Sequence, residues 1–325
     1  MKLGVIGTNW ISEQFVAAAT ASGLYQLTAV YSRRLETAEK FIAKTAPARA
    51  YVDMGAFLAA DFDVLYIASP NSLHAAQTIA GLNAGKHVIC EKPMVADLGE
   101  LAALEKARAT HPTLLVFEAA RHLYDPNFAV IKDYAQNQPI SGATLSYVKY
   151  SSRYDAYLAG EQPNVFSPAF AGGALMDLGV YLIYAAVAWF GVPNAAQYLP
   201  HLLASGVDGD GVVRFAYDDF AVTMLCGKTT NSYAPSEIYS GRATLSFDSP
   251  GELNSLALID GARQDLTQPK DDNPMADEVR VFAQVIAAGD QAFAQRQFDL
   301  ATQVHTLMWQ LRQQAGIHFP SDPVN

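Results

Sequence analysis

Short, unbroken apolar runs alternate with helix-period segments through residues 1–120 of the chain. The runs Leu3–Ile6, Leu27–Tyr31, Val64–Ser69, His87–Cys90 and Leu114–Phe117 predict strands buried on both faces, as a parallel sheet requires. Between them, Ile11–Ala21, Leu35–Lys44, Leu73–Ala84 and Leu98–Arg108 carry helical periodicity. Ser72 is placed to cap the third of these helices. Asp97, with Glu100 three residues on, forms an acidic variant of a capping box for the fourth. Gly85 supplies a helix stop directly before the His87 strand. Strand and helix in strict alternation predict a doubly wound α/β domain.

The rhythm changes after residue 120. A helix is expected over Pro126–Gln136, followed by strands Ala143–Tyr150, Val212–Tyr217, Ala221–Cys226 and Ala243–Phe247. These strands alternate polar with apolar, so one sheet face packs and the other is exposed or covered by a partner. Asp218-Asp219 separates two of them as a tight hairpin without glycine. Ala174–Phe190 is the longest apolar run. It falls short of the roughly 20 residues of a membrane span and contains Asp177, which predicts a buried helix. Helices return at Met275–Ala288 and Leu300–Gln314, and Gln264–Asn273 reads as a polar loop. Residues 121–325 therefore read as an α+β domain.

Composition narrows the function classes. At 325 residues, 50% hydrophobic and 17% charged, the chain has material for two buried cores and is no disordered polymer. A formal net charge of -10 argues against a surface that tracks nucleic-acid phosphates. Cys90 and Cys226 permit one disulfide at most and lack zinc-ligand spacing, and no metal cluster is recognisable. Folding material begins at Lys2 with no cleavable apolar leader, so a cytoplasmic, soluble protein is expected.

Ligands of an open α/β sheet bind at the carboxyl ends of its strands. The first such loop is Gly7-Thr8-Asn9-Trp10-Ile11-Ser12, which keeps only the first glycine of a dinucleotide fingerprint. Asn9 tolerates positive φ and Ser12 is small, so a pyrophosphate at the helix start is compatible; an ordinary turn is the alternative. The second strand ends in Tyr31-Ser32-Arg33-Arg34, with no acid before Glu36 to hold a ribose 2′-hydroxyl. Arg33, with Ser32 beside it, suits a 2′-phosphate, which favours NADP(H) over NAD(H). A solvated basic helix start is the plainer reading.

Candidate chemistry follows at the later strand ends. Ser69-Pro70-Asn71-Ser72 and His74 close one strand, and Cys90-Glu91-Lys92-Pro93 closes the next. Gly172-Gly173 opens the apolar helix, on which Asp177 and Tyr181 share a face. Each has a plain alternative: Asp177 satisfying backbone amides, Tyr181 packing in the core, Lys92 lying on the surface. In this order and at these separations the segments resemble the glucose–fructose oxidoreductase/inositol dehydrogenase/MocA family of nicotinamide-dependent oxidoreductases. The resemblance runs along essentially the whole chain. It implies a Rossmann domain over 1–120. Residues 121–325 would form a substrate-binding and oligomerisation domain on an open, mainly antiparallel sheet, its C-terminal helices able to pack back on the first domain. A homodimer or higher homo-oligomer is the expected assembly.

The resemblance also assigns residues. Lys92 matches the EKP lysine near nicotinamide and substrate, Glu91 its cofactor-side neighbour, and Pro70, Asn71 and His74 the loop beside the cofactor. Asp177 matches the aspartate of the GGxxxDxG segment. Tyr181 stands where many polyol-oxidising members carry histidine, which points to the tyrosine-containing dihydrodiol dehydrogenase-like branch. Glu118-Ala-Ala-Arg-His-Leu-Tyr-Asp-Pro126 departs from the EAFMxRxxP pattern: Ala120 and Arg121 replace the bulky pair and Leu123 the arginine. Arg121 and His122 are thus candidates to touch substrate.

Hydride transfer at a carbinol carbon needs an acid–base group on the oxygen and positive charge where alkoxide develops. Tyr181 fits the first role and Lys92 the second, with Asp177 orienting Lys92 or a substrate hydroxyl. A sugar, polyol or vicinal diol suits such a polar site. His87 and His305 read as structural. A dinucleotide-binding sensor without turnover is the rival from another class, because fold does not fix function.

Overall fold

Strand β1 (Lys2–Ile6) buries every residue after Lys2, which is why its sequence shows no alternation. Around it β2 (Gln26–Tyr31), β3 (Arg49–Tyr51), β4 (Val64–Ile67), β5 (His87–Glu91) and β6 (Val116–Ala119) form a six-stranded sheet in the order β3-β2-β1-β4-β5-β6. Its strand pairs are all parallel. The connecting helices are α1 (Trp10–Ser22), α2 (Leu35–Lys44), α3 (Met54–Leu58), α4 (His74–Asn83) and α5 (Leu98–Thr110). This computed structural model describes residues 1–322, and the chain divides into two compact units. One is Met1–Ala119 with Asp271–Asp299; the other is Ala120–Lys270 with the residues from Leu300 onward.

The expected caps are partly met. Asp97 Oδ1 accepts the Glu100 amide at 2.9 Å, while Glu100 Oε2 accepts the amide of Ala96 at 2.7 Å, so the box closes one residue early. Gly85 takes φ 76° behind α4, a conformation that favours glycine. Ser72 does not cap α4: it sits within a 3-10 turn, Asn71–Leu73, and the helix starts at His74 without a side-chain cap. The first unit also holds α9 (Ala276–Ala288). Phe282 on α9 stacks on Phe117 of β6 with centroids 4.5 Å apart, and Val279 O accepts from the Tyr25 hydroxyl at 3.3 Å.

The second unit is built on β7 (Gly142–Val148), β8 (Ala195–Leu202), β9 (Asp208–Ala216), β10 (Ala221–Gly227), β11 (Ser236–Ser240), β12 (Ala243–Phe247), β13 (Leu256–Asp260) and β14 (Ala262–Asp265). They form an eight-stranded sheet in the order β14-β13-β12-β11-β7-β10-β9-β8. β7 and β10 run parallel; the other pairs among the described residues are antiparallel. The β9–β10 hairpin turns at Asp218-Asp219, closed by Tyr217 N–H to Phe220 O at 2.9 Å and by stacked Tyr217 and Phe220 rings. Helices α6 (Pro126–Asn137), α7 (Tyr154–Leu158) and α8 (Val180–Phe190) complete the unit, and α10 (Gln291–Gln314) crosses the division.

Two expectations are corrected here. The Gln264–Asn273 segment is not wholly loop, because Gln264 and Asp265 belong to β14 and pair with Leu258 and Ala257. All of β14 is exposed, so its polar sequence hides the strand. The Ala174–Phe190 run is not one α-helix. Leu175–Gly179 is a π-helical turn that feeds α8, whose residues are almost all buried.

Candidate active site

The sheet order sets β2, β1, β4 and β5 side by side, so the loops after them share one edge of the first unit. Those loops carry Gly7 to Ile11; Ser32, Arg33 and Arg34; Ser69, Pro70, Asn71 and His74; and Glu91 with Lys92. Gly7 takes φ 102°, and a Cβ there would lie 2.3 Å from Ala68 O, so no side chain fits the turn. Asn9 does not use the left-handed region considered for it; its φ is -94°. Instead its Oδ1 accepts the amides of Ile11 at 2.9 Å and Ser12 at 3.2 Å, capping α1. Its Nδ2 donates to Ala68 O at 2.7 Å, tying the first loop to the β4 end. Trp10 is 66% exposed beside that cap, and Arg33 and Arg34 are exposed at the β2 end. A bare glycine turn, a capped helix start and an exposed arginine pair fit a phosphorylated dinucleotide along this edge.

His74 binds two of the loops together. Its Nδ1 lies 2.8 Å from Pro93 O and its Nε2 2.8 Å from Ser69 O. Burial lowers its pKa, and the two carbonyls oppose that shift. Ser69 also donates to Gln77 Oε1 at 2.7 Å. Glu91 is buried and accepts from the Tyr66 hydroxyl at 2.7 Å; Lys92 follows it, half-buried.

In the second unit the Gly172-Gly173 pair answers crowding by protein atoms. A Cβ on Gly172 would come within 2.8 Å of Asn164 O, and one on Gly173, at φ 116°, within 2.1 Å of Asp208 Oδ1. Asp208, fully buried, accepts the Leu175 amide and the Tyr198 hydroxyl, each at 2.6 Å, and so fixes the start of the π turn. Burial pushes its carboxyl up, against the pull of those donors. The turn presents Asp177, whose Oδ2 lies 2.7 Å from Lys228 Nζ. Lys228 is buried, with its ammonium 5.0 Å from the Phe166 ring centre. Sequence reasoning missed Lys228, yet a signal existed: it continues the inward phase of Val222, Met224 and Cys226 along β10.

Tyr181 follows on α8, 6% exposed, but its surroundings are not those of apolar packing alone. The Arg121 guanidinium hydrogen-bonds its hydroxyl. Tyr147 meets its ring edge-on at 5.4 Å, and His122 lies 4.9 Å away. Arg121 also donates to Gly251 O at 3.1 Å and stands 3.8 Å from Glu252, which accepts from the Tyr147 hydroxyl at 2.8 Å. Burial alone would lower the Arg121 pKa, but Tyr181 and Glu252 outweigh it and raise the value. Burial, with Tyr181 and Glu252, pushes the Tyr147 phenol up. His122 is buried among Phe128, Tyr181 and Tyr184. No metal-binding group of histidine, cysteine or acidic residues occurs among the described residues, and Cys90 and Cys226 are free thiols.

Known proteins resemble the chain in sequence and in fold. Residues 1–118 match an oxidoreductase family described by its NAD-binding Rossmann fold. The chain is 40% identical to the uncharacterized oxidoreductase YgjR of Escherichia coli, over 100% of this chain and 99% of that protein. It is 36% identical to the scyllo-inositol 2-dehydrogenase (NADP(+)) IolU of Bacillus subtilis, over 99% of each. In fold it is similar to KijD10, a 3-ketoreductase of Actinomadura kijaniata solved with NADP. That match has a TM-score of 0.80 and 22% identity, covering 96% of this chain and 97% of that one.

Proposed function

Because the chain belongs to the glucose–fructose oxidoreductase/inositol dehydrogenase/MocA family of oxidoreductases, we propose that it moves a hydride between NADP(H) and a carbinol carbon of a cyclitol, sugar or vicinal diol. The observation that carries the substrate class is the Asp177 carboxylate, fixed by buried Lys228 one helical turn from Tyr181. An ionised carboxylate accepts hydrogen bonds and donates none, which matches the donor-rich rim of a polyhydroxylated substrate. Full-length similarity to an NADP-dependent inositol dehydrogenase supports the same class.

A nicotinamide cofactor, when bound, supplies or takes up the hydride. The chain's own residues do the rest. Thr8, Asn9, Trp10 and Ile11 hold the pyrophosphate at the capped start of α1, and Ser32, Arg33 and Arg34 take the 2′-phosphate. Ser69, Pro70, Asn71, His74 and Glu91 line the cofactor edge. Tyr181 exchanges a proton with the reacting hydroxyl, Lys92 polarises its oxygen, and Arg121 and His122 shape the pocket.

The test is a 340 nm absorbance assay with NADP+ or NAD+ against scyllo-inositol, D-xylose and trans-1,2-dihydrobenzene-1,2-diol. Turnover of at least one is expected. Tyr181→Phe keeps the packing of α8 and should lower turnover by roughly 10²–10⁴ while circular dichroism and NADP binding hold. Full activity in that variant on a confirmed substrate overturns the assignment.

A further inference from the structure

Arg121 is the group that the expected catalytic set does not use. It is only 14% exposed at its side chain, in the turn Arg121–Tyr124 after β6; its guanidinium carbon lies 6.0 Å from the centre of the Tyr181 ring, and the two side chains are hydrogen-bonded. We propose that Arg121 is the positioning residue of Tyr181, holding the hydroxyl in place and stabilising the negative charge that its oxygen carries during proton exchange. The proposal rests on Tyr181 being the acid–base group.

The geometry assigns this role for three reasons. The guanidinium is itself held, by Gly251 O at 3.1 Å and by Glu252 at 3.8 Å, so its fork has a fixed direction. A guanidinium never gives up its proton in the working pH range, so its charge persists while Tyr181 cycles between phenol and anion. The other titratable groups around Tyr181 are unsuited to it. Tyr147 from β7 donates to Glu252 and is held in its neutral form; His122 packs among aromatic rings; Asp177, one turn back, is engaged by Lys228. Tyr184, one turn on along α8, is buried with its ring 6.0 Å from that of His122. Arg121 and Tyr181 belong to the same unit, so their pairing needs nothing from the first.

Two measurements test this, the first on cofactor-free protein. Urea unfolding of wild type, Arg121→Gln, Tyr181→Phe and the double variant should give midpoint shifts that are less than additive. Additive shifts overturn the proposal. The second uses scyllo-inositol with NADP+. Arg121→Gln should lose about 10–100-fold in kcat with KM little changed, and Arg121→Lys should recover part of it, keeping charge without the fork. The acid limb of kcat/KM, absent in Tyr181→Phe, should move about 1–3 pH units to the alkaline side in Arg121→Gln, because the anion loses its cation. An inactive Tyr181→Phe beside an Arg121→Gln with wild-type kcat and limb overturns the proposal alone. A fully active Tyr181→Phe overturns the reading beneath it as well.

Discussion

Arg33 stands exposed at the end of β2, where an acid would otherwise meet a ribose hydroxyl. Arg33→Ala should therefore weaken NADP binding by about 30-fold, the equivalent of roughly 2 kcal/mol, and leave NAD binding nearly unchanged. Fluorescence titration of both cofactors checks it; an unchanged preference would remove Arg33 from the site. Single residues also show where reading a sequence stops. Gly7 was legible because a βα turn demands a residue without Cβ, and Ala68 O confirms the demand. Asn9 was legible as polar but not as a cap, since capping depends on where α1 begins. The pairing of Asp177 and Tyr181 with their partners was not legible, although the phase of β10 marked Lys228 as inward-facing. Lys228 and Arg121 lie 51 and 60 positions away in the chain, and only sheet pairing and helix packing deliver them.

Among the elements, the π turn is the one with most at stake. It begins where Gly173 passes against Asp208, so Gly173→Ala adds both a clash and a disfavoured φ. That variant should lose more than about 1 kcal/mol of stability. Calorimetry reads it; a wild-type Tm would mean that Asp208 yields freely. A second element, the β5–β6 pair, is tied at one end by His87 Nδ1, which accepts the Leu115 amide at 3.0 Å. Burial lowers the His87 pKa, and the unfolded histidine titrates at about 6.5. Stability is thus full above that pH and declines as pH falls below it, when the unfolded chain takes up the proton first. His87→Asn accepts the same amide without titrating, so its urea midpoint should drop less between pH 8 and pH 5 than that of wild type. Equal drops would acquit His87. Long strands and helices were legible because several turns or pleats repeat the pattern. The three residues of β3 and five of α3 offer no repeat, and Pro200 disguised the edge strand β8.

Across the whole molecule, the eight-stranded sheet carries an apolar row that is exposed at its edge strand and half-buried further in. Leu199 of β8 pairs with Val212 of β9, which pairs with Leu225 of β10, and Leu199 is 62% exposed. A second copy of the chain covering this row would bury it, and a homo-oligomer is proposed on that ground. Light scattering at micromolar concentration should exceed the 35.1 kDa of one chain, and Leu199→Lys with Leu225→Lys should return it to that mass. A wild-type monomer would end the proposal. The two-part organisation was legible from the change of rhythm near residue 120, and the family resemblance implied C-terminal helices packing back on the first domain; the bounds 271–299 were not legible, because helix periodicity does not say which sheet a helix serves. That return has a genetic consequence. Phe282 and Val279 complete a core by meeting Phe117 and Tyr25, which are encoded 165 and 254 codons upstream. A single crossover between related genes near codon 120 would join one parent's β1–β6 to the other parent's α9. A double crossover that brackets codons 120–270 keeps the first unit whole from one parent while exchanging the middle of the gene.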